Sequence, residues 1–133
     1  MSAPTSQSAA PLGTPSGAGV VVLTDSEFHA RAQTVLAAIE ATLDRWLQND
    51  EIDIDSQRTG GLLELAIPGG SKIVVNTQPP LHELWLAART GGYHFRFVSG
   101  RWIDSRSGVE FFATLSREIS AQAGRPLTVA PPA

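Results

Sequence analysis

The hydrophobic period of this chain changes twice, from 3.6 residues to 2 and back to 3.6, and that order leaves few folds open. Apolar residues first recur at Phe28, Ala32, Val35, Leu36, Ile39, Leu43 and Trp46, the stripe of an amphipathic helix. Thr24-Asp25-Ser26-Glu27 in front of it fits a capping box, with Leu23 and Phe28 placed to form a hydrophobic staple. The helix is expected to run to about Leu47 and to stop at Gln48-Asn49-Asp50. Alternation then takes over. Strands are expected at residues 51–55, 62–67, 72–77, 82–88, 93–98 and 101–104, with Ile52 and Ile54 of the first turned inward. Turns at Gly60-Gly61, Pro68-Gly69-Gly70 and Gly91-Gly92, together with the pairing break at Pro79-Pro80, divide these strands. Ser107-Gly108-Val109-Glu110 reads as a second capping box, followed by a helical face of Phe111, Phe112, Leu115 and Ile119 and a glycine stop at Gly124.

Strands joined by tight turns pair antiparallel, and a helix at each end of such a meander must cover the same face of it. The expected fold class is therefore α+β: a two-layer sandwich, an antiparallel sheet of about six strands with the N- and C-terminal helices packed on one face. Residues 1–19 hold no charge and no aromatic residue, so the first 23 residues are expected to form a flexible tail. They lack the basic start and apolar block of a signal peptide and the arginines of a mitochondrial presequence. The domain is placed at residues 24–127, and residues 128–133 are expected to form a short C-terminal tail.

Composition narrows the function. The absence of cysteine excludes disulfides, thiolate metal sites and a cysteine nucleophile. No apolar run approaches the length of a bilayer span, so a soluble protein without a membrane partner is expected. A net charge of −3 argues against nucleic acid as a partner. No nucleophile elbow, phosphate loop, dinucleotide fingerprint or zinc-protease helix surrounds His29, His82 or His94, and the chain is not expected to be an enzyme.

The charge is uneven. Residues 25–55 hold eight acids (Asp25, Glu27, Glu40, Asp44, Asp50, Glu51, Asp53, Asp55) against Arg31 and Arg45, a net of −6, whereas residues 56–133 carry +3. Three readings stand side by side: a solvated face, a weak site for hard oxygen-loving cations, or a docking face for a basic partner. His29 lies eleven residues from Glu40, about 16 Å along a helix, too far to share one ion. In the sheet, alternation sends Leu84, Leu86, Tyr93, Phe95 and Phe97 to one side and Glu83, Trp85, His94 and Arg96 to the other. Trp85 is then either a binding anchor on an open face or a ring half-buried by loops.

The stretch GSKIVVNTQPPLHELWLA at residues 70–87 carries a further signal, joined by SEFH at 26–29, GLLEL at 61–65, GGYHF at 91–95, Trp102 and Ser107-Gly108. Over nearly all of residues 24–124 the chain resembles the frataxin family in its bacterial form. The resemblance implies a cytoplasmic, monomeric, non-enzymatic protein that binds iron (Fe²⁺ or Fe³⁺) weakly and regulates iron–sulfur cluster assembly. It implies an acidic ridge at Glu40, Asp44, Asp50, Glu51, Asp53 and Asp55, with Asp25, Glu27 and His29 as secondary ligands, facing iron and the basic surface of a cysteine desulfurase. It also implies a partner-binding sheet face bearing Asn76, Gln78, Pro80, Glu83 and Trp85, with the iron–sulfur scaffold protein as second partner. An iron store or a ferroxidase is the alternative. Gln33, Ala41, Arg45, Leu47 and Gln48 depart from the acids or turn residues common in bacterial relatives, and Arg45 places a positive charge inside the ridge.

Overall fold

A computed structural model describes residues 22–132; the expectation of a flexible segment over residues 1–21 lies outside them. Helix α1 spans Asp25–Gln48 and opens as the sequence dictates. The Glu27 amide donates to Thr24 Oγ1 at 3.1 Å, and the Thr24 amide donates to Glu27 Oε1 at 2.9 Å. Two of the amides that a helix start leaves without partners are thereby satisfied. All seven residues of the predicted apolar stripe are buried, and Leu23 is buried just ahead of the helix, so ordered packing begins before residue 24.

Six strands follow: β1 (Asp55–Thr59), β2 (Leu62–Ala66), β3 (Lys72–Gln78), β4 (Glu83–Ala88), β5 (Gly91–Val98) and β6 (Arg101–Asp104). They form one antiparallel sheet in chain order, and helix α2 (Phe111–Ala123) closes the domain. Leu63, Leu65, Ile73, Val75, Leu84, Leu86 and Phe95 face the helices and merge with their apolar stripes in a single core. Phe95 meets Phe111 edge to face at 5.1 Å, and Phe28 meets Trp102 at 5.9 Å. Both helices therefore cover one face of the sheet and leave the other open. Among the described residues no helix is long and apolar enough to cross a membrane.

Several local expectations are corrected. Residues 51–54 are not a strand: Ile54 is buried and Ile52 half-buried, but pairing begins only at Asp55, opposite Ala66. Beyond Ala66 the partner chain turns away through Pro68, which has no N–H to donate, so residues 51–54 have nothing to pair with. Residues 79–81 form a short 3-10 turn, and His82 adopts a left-handed backbone, φ 51°, ahead of β4 rather than inside it. Ser107 does not cap α2. Its hydroxyl donates to Asp104 Oδ2 at 2.7 Å, and Gly108 at φ 75° breaks the helical path. Glu110 caps instead, accepting from the Phe112 and Ala113 amides at 2.8 and 3.1 Å.

The end of the chain also differs from expectation. Residues 128–133 were expected to form a tail, yet Val129 is buried, as is Leu127 just before it. The Ser120 hydroxyl accepts from the Leu127 amide, and the Ser116 hydroxyl from the Val129 amide, each at 2.9 Å. An extended segment has no internal partners for its backbone, and the hydroxyls on α2 supply them. Gly61 marks one close approach: a Cβ there would lie 2.0 Å from Thr77 Oγ1.

Candidate functional site

Two surfaces hold the candidate residues. The first is the acidic flank, formed by the C-terminal half of α1 and the chain leading into β1. Residue alternation in β1 turns Arg58 toward α1, where its guanidinium meets Glu40 Oε1 at 2.6 Å and also contacts Gln33. Glu51 sits 3.7 Å from Arg125, which also donates to the Glu51 carbonyl at 2.6 Å. Asp44, Asp50, Asp53 and Asp55 are exposed and have no ion-pair partner within 4 Å among the described residues. Arg45 points at the Thr42 hydroxyl, 3.3 Å away, rather than at a carboxylate.

The secondary candidates belong to the other end of α1. Asp25 Oδ1 lies 2.7 Å from His82 Nε2, and the His82 ring stacks on Phe28 at 5.0 Å. Glu27 is committed to its cap: hydrogen bonds from the Thr24 backbone and hydroxyl, aided by Arg31, hold its carboxyl below the usual range. His29 is exposed. Among the described residues no three His, Asp or Glu side chains gather closely enough to hold one ion. Six ridge acids that fall between residues 40 and 55 are thus spread in space, and their joint effect is a negative field rather than a chelating pocket.

The second surface is the open face of the sheet. The strand register sets Leu62, Asn76, Trp85 and His94 side by side, and Gln78, Glu83, Arg96 and Ile103 in the next row. Trp85 is half-buried, its indole stacked on the His94 ring at 4.2 Å and 8°. Its Nε1–H donates to Glu83 Oε1 at 2.8 Å, and Arg96 Nε donates to Glu83 Oε2 at 2.9 Å. The Glu83 side chain is only 8% exposed. Burial alone would raise its carboxyl pKa, but the hydrogen bonds from Trp85 and Arg96 and the charges of Arg96 and His94 outweigh it, so Glu83 is held below the ordinary value of 4.5. Asp104 follows the same logic on the helix side. The desolvation that would raise it is overcome by the Ser107 hydroxyl and amide and by the His94 and Arg106 amides.

Trp85 is half-buried on the open face, covered by neighbouring strands rather than by loops, and its ring orientation is fixed by His94 and Glu83. Beside it a depression of about 200 Å³ is lined by Val74, Ala87 and Gly92 among others. Asn76 and Gln78 are half-buried in the same face, and Pro80 is exposed at its edge on the 3-10 turn. The structure thus gathers Asn76, Gln78, Glu83 and Trp85 on one surface. Sequence reasoning sent His94 and Arg96 to this side without assigning them a role, and it did not foresee Arg58. The signal for Arg96 lay in the hairpin: with the turn at residues 89–90, Glu83 falls opposite Arg96.

Comparison with known proteins matches residues 21–125 to a family described as the frataxin-like domain. The iron–sulfur cluster assembly protein CyaY of Paraburkholderia phymatum is 50% identical over 109 residues, covering 82% of this chain and 100% of the relative. The protein of the same name from Variovorax paradoxus is 51% identical, covering 81% and 98%. Among solved structures, frataxin from Psychromonas ingrahamii superposes with a TM-score of 0.71 at 34% identity, over 81% of this chain and 99% of that one. A trimeric frataxin from the yeast Saccharomyces cerevisiae, complexed with ferrous iron, gives 0.62 at 25% identity, over 71% and 87%.

Proposed function

Because the chain belongs to the frataxin family, we propose that it serves iron–sulfur cluster assembly as a non-enzymatic accessory protein and regulator. In this reading it acts on the complex of a cysteine desulfurase with its scaffold protein, as a cytoplasmic monomer. Its relatives named for iron–sulfur cluster assembly support the role. One observation supports the adaptor mechanism: the sheet face that no helix covers presents Trp85 in a fixed orientation within a satisfied polar network. A large amphipathic ring held in place loses little freedom on binding, which suits it to anchor a protein partner. Asn76, Gln78 and Pro80 surround it and would meet the scaffold.

The acidic flank has the complementary role. Asp44, Asp50, Asp53 and Asp55 would steer the protein onto the basic surface of the desulfurase. With Glu40 and Glu51 they would bind Fe²⁺ or Fe³⁺ weakly, as exposed carboxylates do with hard cations. Glu40 and Glu51 would first have to leave Arg58 and Arg125. Iron storage or ferroxidation would require convergent ligands holding two ions together, an arrangement not found among the described residues.

The test compares two variants. Asp44→Lys with Asp53→Lys should weaken desulfurase binding at low salt by tenfold or more, with the difference shrinking as ionic strength rises. Trp85→Ala should spare the binary complex and weaken the ternary complex with the scaffold at every salt concentration. Unchanged desulfurase affinity in the lysine variant at low salt would remove the flank from the interface.

A further inference from the structure

A roomier concavity lies away from both surfaces, between α1, the β5–β6 hairpin and the segment that follows α2. It encloses about 520 Å³, within the roughly 300–1,000 Å³ range of small-molecule sites. Its walls include buried Val35, Trp102 and Phe112, and Phe97, which is half-buried. Phe97 and Trp102 meet at 5.2 Å in an edge-to-face pair. Two exposed cations, Arg31 and Arg101, belong to the same lining, and the Arg31 guanidinium lies over the Phe97 ring, 4.6 Å from its centroid.

The electrostatics there run against the net charge of the chain, −3. Neither arginine has a carboxylate within ion-pair distance among the described residues. Glu110 also lines the groove, but both of its oxygens accept amide protons at the start of α2. Glu27, one turn before Arg31, is engaged by Thr24. The groove therefore offers an aromatic wall and two guanidinium groups with no carboxylate at ion-pair distance among the described residues, on a protein of net charge −3. An anion would be repelled by the overall field, so attraction at this place has to be local. Guanidinium groups suit planar oxyanions, and an arginine resting on a ring keeps its N–H edge free.

We propose that this groove binds a small amphipathic organic anion, with an aromatic or aliphatic body against Phe97 and Trp102 and a carboxylate or sulfonate group at Arg31 and Arg101. The probe is 8-anilinonaphthalene-1-sulfonate, with uncharged N-phenyl-1-naphthylamine as its control. The wild-type chain should bind the sulfonate saturably at one site. The Trp102 indole resonance and the amides of residues 31–35 and 97–102 should shift. Arg31→Gln with Arg101→Gln should weaken sulfonate binding about tenfold, the effect of two exposed charge contacts. The same variant should leave binding of the uncharged analogue within about twofold. Both positions are exposed, so the melting temperature should hold; should the double variant fail to fold, Arg101→Gln alone gives the same reading at about threefold. Absence of saturable binding, equal affinity in the arginine variants, or shifts centred on Trp85 would each overturn the proposal.

Discussion

The open sheet face and the acidic flank both carry charge at the surface, but they hold it in opposite ways. On the sheet, one carboxylate is nearly enclosed and engaged by an indole, a guanidinium and a nearby imidazole. On the flank, four aspartates stand exposed with no cation beside them among the described residues. The difference comes from how each is built. Antiparallel register fixes which side chains are neighbours to within a fraction of a residue spacing, so Glu83 and Arg96 cannot avoid each other. The end of α1 and the chain before β1 impose no such pairing. A surface built on register is ordered before a partner arrives, whereas a surface built on loop charge acts through its summed field.

That contrast is open to attack, and the largest effect lies on the sheet. Glu83→Ala strips the acceptor from the Trp85 indole and the partner from Arg96, and should cost about 1–3 kcal/mol in urea denaturation. Asp44→Ala should change stability by no more than about 0.5 kcal/mol. A similar loss at both positions would erase the distinction between the surfaces.

Acid gives the next largest effect. Glu83 and Asp104 are held below their ordinary values of 4.5 and 3.8 in the folded chain. Between folded and unfolded values the unfolded chain binds more protons, so stability rises with pH there. The contribution of these groups is complete above their unfolded values and is lost as pH falls below 4.5 and through the folded values. Glu83→Gln with Asp104→Asn should therefore flatten the acid limb of a stability–pH curve measured between pH 6 and 2. A limb as steep as in the wild type would assign acid sensitivity to other groups.

Salt gives the smallest effect. The unpaired aspartates repel one another by about 0.2–0.5 kcal/mol per neighbouring pair. Moderate salt or a divalent cation should raise the melting temperature slightly, and Asp53→Asn should diminish that rise. A flat response would mean that the acids are too dispersed to interact.

The features that were legible in the sequence are those decided within a few residues or by a repeating period. Thr24 and Glu27 satisfy each other across one turn, and the stripe from Phe28 to Trp46 needs only the helical period. The inward turn of Ile54 was legible, but its lack of a partner was not, because that depends on Pro68 in another strand's turn. Ser107 carried the pattern of a cap, yet Asp104 lies within reach of the same hydroxyl and takes it. Leu127 and Val129 sit in a stretch whose composition resembles a tail, and only the serines on α2 reveal that it packs. On the candidate surfaces, the shared side of Glu83 and Trp85 followed from alternation, whereas Asn76 and Gln78 were implied only by the family resemblance, and the cross-strand rows are set by the register. The neutralisation of Glu40 by Arg58 bridges 18 residues, and no local pattern announces it.

The order of the strands has a kinetic consequence. Each strand pairs only with its neighbours in sequence, so the sheet can assemble hairpin by hairpin with short loops to close, and hairpins form in about 1–10 μs. The helices, by contrast, lie at opposite ends of the element order along the sequence and meet in one core. Bringing them together is the long-range event, and it carries most of the loop-closure entropy. Refolding should therefore be limited by docking of the chain ends onto a preformed meander. Val74→Ala in the preformed sheet should mainly slow folding in stopped-flow traces, whereas Leu36→Ala or Leu115→Ala, whose contacts are completed only as the helices dock, should also speed unfolding. The reverse pattern would place completion of the sheet after docking of the helices.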